Sequence, residues 1–478
     1  MVRVYLRRIW ERLRTSYWFV PLVMAVLAVL LAQLMLWIDA RIPNETLSGY
    51  KVIFSEDTEQ ARVTLTNLAG TMLSTAGVVF TLLTLPLSLA ASQFGSRLLR
   101  LYLRDRTTQG VLGVFVATFA YCLAVVLAIP PADYEPDAPQ LTATVGLLLS
   151  LSAFASLLVL IHHIATSLQA PNVAAAAGAE LRHVMSASIL PSRRRPVTEH
   201  PAVVGTDPPS LPALVEREGC PIYSDGTGYI EEVDPVLAIP LANRRNLVIR
   251  LVRKPGDFVQ VGDRIALAWP SQDADQEVIS QIRSCYRLGN ERIPTQDIEY
   301  AIQQLVEMAV RAMSAAINDP YTAMTCLDHL GAGLAVYAER NGYQPYLYDS
   351  GNRLRVIFDP LTFGGLLDGA FNMIRHASRD NADVLLSLLD AIERIAARSS
   401  TADQRAELLR QVRLVEAESQ TGSSIAWDQE RVGRRCAELA SRLSAREEEA
   451  ITDGKPEVPE PDSPARQRKS HYNSGTGC

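Results

Sequence analysis

Apolar positions along the 478-residue chain follow two regimes that meet near Thr166. Before that point lie four apolar runs, about Trp18–Ile38, Leu68–Ala91, Val111–Ile129 and Leu141–Ala165. Each is long enough to cross a bilayer, which takes about 20 largely apolar residues. The first is too long for a cleavable signal, and no small-residue cleavage site follows it. After Thr166 the alanine-rich Val173–Ala179 continues helical, and a proline-rich linker over Pro191–Pro212 follows it. From Cys220 to Pro270 short β-rich runs alternate with Pro-Gly and Gly-Asp turn pairs, including Pro255-Gly256-Asp257. From Gln272 to Leu443 the pattern is mainly helical, with Ile298, Ile302, Leu305, Met308 and Ala309 on one 3.6-residue stripe. Tyr343–Asp359 predicts a hairpin that turns at Asp349–Asn352.

This pattern predicts an α-helical membrane protein with four transmembrane helices and a cytosolic α+β region. That region comprises a small β-sandwich or barrel-like module and then a mainly helical domain. The divisions are a basic segment at 1–17, a transmembrane domain at 18–170, a linker at 171–219, a β module at 220–270, a helical domain at 271–445 and a disordered tail at 446–478.

Charge supplies the orientation. Arg3, Arg7, Arg8, Arg12 and Arg14 precede the first span, and Arg97, Arg100, Arg104 and Arg106 lie between the second and third. The loop Pro130–Gln140 holds Asp133, Glu135 and Asp137 and no Lys or Arg. Lys and Arg stay on the cytoplasmic side, so both termini are expected inside a cell inner membrane. Tyr17, Trp18 and Trp37 stand where interfacial aromatics belong. The formal net charge of −6 and the long apolar runs exclude a wholly soluble enzyme and a generally basic nucleic-acid binder. Six cysteines form no CxxC pair and no zinc spacing, so they are expected as reduced, packed thiols, with no metal or cofactor.

The second span carries the sharpest pattern. Thr66, Gly70, Ser74, Gly77, Thr81, Thr84, Ser88 and Ser92 recur at three- and four-residue steps. On a helix they fall within an arc of roughly 80°. Leu68, Met72, Val79, Leu83 and Leu87 take the opposite side. Such a stripe suits either close helix packing or the lining of a water-filled path. Pro86 interrupts it as a hinge. No Asp, Glu, Lys or Arg lies inside any span, which argues against ion-coupled transport. His162 and His163 end the fourth span as an interfacial polar cap. Arg97, Arg100 and Arg104 make a basic face for lipid headgroups.

Catalytic signatures are absent: no phosphate loop, no GxSxG, no HExxH. Asp319, ahead of Pro320, is placed as a helix N-cap. An enzyme using Asp297, Glu299, Asn318 and Asp319 is the weakest alternative, and the chain is expected to be non-enzymatic. The Gly-Asp turns around Val259 are similar to those of biotinyl and lipoyl carrier domains. The expected hairpin Ala242–Asn246 has Arg244 and Arg245 but no lysine, and Lys254 is the sole lysine there. A swinging-arm role is therefore not expected.

Several stretches resemble a bacterial family of predicted membrane proteins, domain of unknown function 2254: Leu13–Pro21, Ala76–Arg97, Arg104–Phe115, Ile161–Ile164, Gly228–Asp234, Pro255–Val259 and Ala315–Ala323. Gly95-Ser96-Arg97 departs from the family's more usual Ser-Pro-Arg. The resemblance implies four spans and a cytosolic domain, and no activity. The expectation is a homo-oligomeric, channel-like membrane protein with a cytosolic regulatory domain. The alternative is a membrane-anchored sensor or scaffold whose cytosolic half binds a ligand or protein. Expected partners are the lipid bilayer, other copies of the chain and that cytosolic ligand, with no nucleic acid.

Overall fold

The computed structural model describes residues 18–41, 58–94, 105–129, 140–167, 169–187, 211–339, 346–359, 361–422 and 425–453. Its first four helices are α1 (Phe19–Asp39), α2 (Thr58–Phe94), α3 (Arg106–Ala128) and α4 (Gln140–Ser167). All four are long and apolar enough to cross a membrane. Helix α3 is central and packs on each of the other three. The seams set small residues around large ones: Ala32, Leu65, Tyr121, Cys122 and Ala143 in one cluster, Val79, Phe115, Ala153 and Leu160 in the other. A Cβ on Gly146 would stand 2.7 Å from Leu65 Cδ2, so glycine sets how closely α4 approaches α2.

Polar groups tie the helix ends together. Asp39 accepts from the backbone N–H groups of Leu141 and Thr142 at 3.2 and 2.8 Å, and so caps α4 from the end of α1. Asp105 caps α3, accepting from Thr107 and Thr108 N–H at 3.1 and 3.3 Å. His163 Nε2 lies 2.6 Å from the same carboxylate and fastens the end of α4 to the start of α3.

Helix α5 (Ala170–Ala187) follows after two residues. The stretch expected as linker from residue 171 therefore begins with a packed helix: Val173, Ala174, Ala177, Leu181 and Val184 sit in the main extramembrane core. Alanine methyls give a weak amphipathic signal. They are buried because α10 (Pro320–Glu339) lies against them; a Cβ on Gly178 would meet His329 Cβ at 2.7 Å. The core is completed by α9 (Ile298–Ala312), α11 (Phe363–Ala377), α12 (Ala382–Ala396), α13 (Ala402–Gly422) and α14 (Ala426–Asp453). Helix α14 thus continues eight residues into the stretch expected as a disordered tail from 446. Helices α5, α10, α12 and α14 form one row; α9, α11 and α13 form the other.

The β region differs from a self-contained sandwich. After α6 (Leu211–Glu218) come β1 (Cys220–Tyr223), β2 (Gly228–Val233), α7 (Pro235–Arg245), β3 (Val248–Leu251), β4 (Phe258–Val259), β5 (Arg264–Trp269), α8 (Gln276–Arg283) and β6 (Tyr286–Gly289). The hairpin β7 (Tyr346–Tyr348) and β8 (Leu354–Phe358) joins them from inside the helical domain. The larger sheet has the order β1-β5-β3-β8-β7, the smaller β4-β2-β6. Strand β8 pairs parallel with β3, Ile249 opposite Val356. A parallel neighbour needs a long crossover, and here α8, β6, α9 and α10 supply it. The sheet is therefore not confined to 220–270.

The expected hairpin Ala242–Asn246 is the end of α7. Asn246 takes a positive φ of 50°. Leu247 N–H returns to Ala242 O at 2.8 Å and is fully buried. That is a Schellman stop, in which the left-handed residue closes the last turn and an apolar residue seals it. At the other edge Arg355, 3% exposed, donates to Asp349 at 2.9 Å and to Leu247 O at 3.2 Å, locking β8 to that stop.

Candidate functional site

Two features outside the packed cores can carry function: the outward face of α2 and a cleft in the extramembrane half. On α2, Ala61, Leu65, Ala69, Met72 and Val79 are buried against α3 and α4. Thr66, Gly70, Ser74, Gly77, Thr81, Thr84 and Ser88 are all exposed. At 100° per residue the stripe is centred about 140° around the helix from the buried seam. Nothing lies within 4 Å of a Cβ built on Gly70 or Gly77. Three of its hydroxyls bond back to their own helix: Ser74 donates to Gly70 O at 3.0 Å, Thr81 to Gly77 O at 3.1 Å and Thr84 to Thr81 O at 3.0 Å. Among the described residues, then, the stripe faces away from the chain's own packing seam. Pro86 and Ser92 lie inside α2, which continues to Phe94. Arg97, Arg100 and Arg104 lie outside the described residues.

The cleft has a volume of about 450 Å³ and opens where the β region meets the helical bundle. His183 and Ala187 from the end of α5, Lys254 and Asp257 from the β3–β4 turn, and Asp297 and Glu299 from the start of α9 line it. Pro255 and Gly256 turn the chain; Gly256 has φ +94°, and Asp257 N–H reaches Lys254 O at 3.2 Å. That is the geometry of a type II turn, where glycine is required third. The turn lies directly on Asp297, since a Cβ on Gly256 would stand 2.7 Å from Asp297 Cγ. Lys254 Nζ meets Glu299 at 2.5 Å.

Asp297 is 2% exposed. It caps α9 through Tyr300 N–H at 2.9 Å, and Arg292 holds it with two bonds of 2.7 and 2.9 Å. Burial pushes the Asp297 carboxyl above its ordinary value, against the pull of Arg292. Gln296 accepts from Val233 N–H at 3.0 Å and ties α9 to β2. The cleft can thus present an ammonium, an imidazole and carboxylates beside the apolar Leu251, Phe358 and Leu361.

Asn318 and Asp319 are elsewhere. Asp319 accepts from Thr322 N–H at 3.2 Å and from its hydroxyl at 2.6 Å, the arrangement of an N-cap on α10. The 15 residues of α9 separate it from Asp297, about 20 Å at 1.5 Å per residue. The four polar residues of the enzyme alternative do not form one site. Arg292 and Gln296 belong to no sequence motif. The signal available was the Pro-Gly-Asp turn, whose partner across the cleft no periodicity reveals. No group of three or more metal-ligating side chains occurs among the described residues.

The family model of a predicted membrane protein, DUF2254, matches residues 14–394. The uncharacterized protein Rv1290c of Mycobacterium tuberculosis is 30% identical over 376 residues, covering 76% of this chain and 69% of the relative. The uncharacterized protein Mb1321c of Mycobacterium bovis matches over the same shares at the same identity. No solved structure matches. The chain belongs to the DUF2254 family of predicted membrane proteins.

Proposed function

For this member of a family of predicted membrane proteins, we propose a homo-oligomer of the inner membrane in which α2 of each copy gathers about a common axis and forms a conduction path. The carrying observation is the exposed stripe. A continuous small and hydroxyl face turned away from the chain's own bundle is wasted on lipid tails. It suits a second helix, where small residues allow close approach, or water, where hydroxyls line a pore. The extramembrane half then lies in the cytosol and regulates the path. Cysteine scanning in native membranes tests the assembly. Ser74→Cys and Gly77→Cys should cross-link between copies, because a disulfide needs Cβ atoms about 3.8 Å apart. Leu82→Cys, exposed and about 120° around the helix from the centre of the stripe, should not. Equal yields at all three sink the assembly. Planar-bilayer currents altered by Thr81→Leu test the path; silence from protein that cross-links reduces the stripe to a seam.

A second reading rests on the cleft: the extramembrane half is a sensor that takes a small charged ligand between Lys254 and Glu299. Thermal-shift screening of the full chain against Lys254→Ala tests it. A ligand that stabilises both equally, or none at all, ends it.

A further inference from the structure

We propose that one end of the extramembrane helical bundle is a lipid-docking surface that rests on the headgroup region of the bilayer the protein spans. The junction of α4 and α5 fixes where that end lies. The three Cα–Cα steps from Ser167 to Ala170 reach about 10 Å at most, and Asn172 Nδ2 donates back to Thr166 O at 2.7 Å. The start of α5 is therefore held at the membrane surface. Helix α10 runs parallel to α5: the Gly178 position abuts His329, and Leu181 abuts the Gly333 position. Eight residues back along both helices, Ala170 stands level with Tyr321.

The polarity of the other helices follows from their ion pairs. Arg394 reaches Asp328 at 2.6 Å and Arg398 reaches Glu339 at 3.0 Å, so α12 runs parallel to α10. Arg431 reaches Asp383 at 3.0 Å and Arg435 reaches Asp390 at 2.7 Å, so α14 is parallel too. All four helices start at the membrane end. Helix α11 runs the other way: Tyr337, near the far end of α10, donates to Leu361 O at 2.8 Å just before α11 begins. Gln404, at the start of α13, donates to Ala338 O at 3.2 Å. The α9–α10, α11–α12 and α13–α14 connections therefore share the membrane end.

The large hydrophobic side chains exposed on this bundle, among the described residues of 298–443 outside the β7–β8 hairpin, are Ile317, Tyr321, Met373, Ile425 and Trp427. All five lie in those connections or in the helical turns beside them. Tyr321 is 77% and Trp427 63% exposed. The guanidinium of Arg431 stacks 4.4 Å from the Trp427 ring centroid. Tryptophan and tyrosine favour the headgroup level of a bilayer.

Lipid, rather than the chain's own spans, is the occupant because of where these residues fall. The membrane helices α2 and α4 touch the bundle at α9 and α5. Helices pack 8–10 Å apart. The row α5, α10, α12, α14 therefore carries Trp427 about 25–30 Å sideways from the α4–α5 junction, three helices away from where α4 enters the bundle.

The test uses full-length protein in vesicles of phosphatidylethanolamine and phosphatidylglycerol. Cys220→Ser and Cys478→Ser remove the thiols outside the buried set. An environment-sensitive nitrobenzoxadiazole label is placed at Ile425→Cys or at Ser400→Cys, an exposed site at the opposite bundle end. The expected result is blue-shifted emission at 425 that loses most of its intensity when doxyl-labelled lipid is included, with neither change at 400. Water-like emission at both sites overturns the proposal. So does a blue shift at 425 without lipid quenching, which would mean that a second copy covers the surface.

Discussion

The membrane bundle α1–α4 and the extramembrane bundle of α5 and α9–α14 are both stacks of sequential helices, yet they bury different things. The membrane bundle turns hydroxyls and glycines outward along α2 and keeps a thin seam in which small residues let backbones approach. The extramembrane bundle buries a thick core of leucine, isoleucine and valine and exposes large apolar side chains at one end. In water the hydrophobic effect makes apolar burial the driving force. In lipid it makes none between tails and leucine, and packing and hydrogen bonds take its place. Under the two proposals above, each region's exceptional surface marks what it meets: a second helix or water for α2, the lipid surface for the bundle end.

The largest expected difference is in core truncation. Leu388 is fully buried in the extramembrane core. Leu388→Ala removes apolar burial and leaves a cavity, at a cost of about 2–5 kcal/mol. Leu82, 39% exposed on α2, only exchanges one apolar surface for another. Leu82→Ala should stay within about 0.5 kcal/mol, as for surface changes away from special features. Denaturant titration of the full chain in lipid nanodiscs, followed by circular dichroism, measures both. Equal losses would break the comparison.

Glycines sharpen it on a smaller scale. At the α5–α10 contact a Cβ on Gly178 would stand 2.6 Å from the His329 ring Cγ. Gly178→Val should cost about 1–3 kcal/mol as overpacking. Gly77 faces open space. Gly77→Val should leave the unfolding curve in place and lower only the cross-linking yield between copies. A Gly77→Val chain that unfolds early would mean that α2 packs inward after all.

Sequence periodicity revealed the parts that repeat locally. The four spans, the α2 stripe and the α9 stripe from Ile298 to Ala309 are single-helix patterns, and each can be recognised without knowing its neighbour. The β7–β8 hairpin was legible for the same reason, through Asp349 and Asn352 at its turn. Its pairing was not. Only the fold brings Val356 beside Ile249, more than a hundred residues away. Helix α5 was half hidden because alanines look alike on every face until α10 selects one. The Asp297–Arg292 pair and the turn at Gly256 depend on a contact between layers, so their chemistry was visible and their meeting was not. The end of α7 misled because Arg244, Arg245 and Asn246 suit a hairpin tip and a helix stop equally; the buried Leu247 decides it.

The smallest expected effect concerns the thiols, and it ranks the two bundles by how each opens. Burial pushes the Cys326 and Cys436 thiols up to about 12, with the charges of Asp319 and Glu416 adding to it. Burial, with Asp234, does the same to Cys285. A thiol reacts as the thiolate, so at pH 8 these three should resist maleimide in the native protein, while the half-buried Cys220 labels. Cys122 is enclosed in the membrane seam and should resist as well. Graded urea then separates the regions. Cys326 and Cys436 lie in a core that water and urea can open, whereas Cys122 lies on a helix whose backbone groups find no alternative partner in lipid. Mass spectrometry of labelled protein in nanodiscs should show Cys326 and Cys436 modified together, at urea concentrations that leave Cys122 untouched. Labelling of all three at one concentration would mean that the two bundles unfold as a single unit, with α5 transmitting the opening of one into the other.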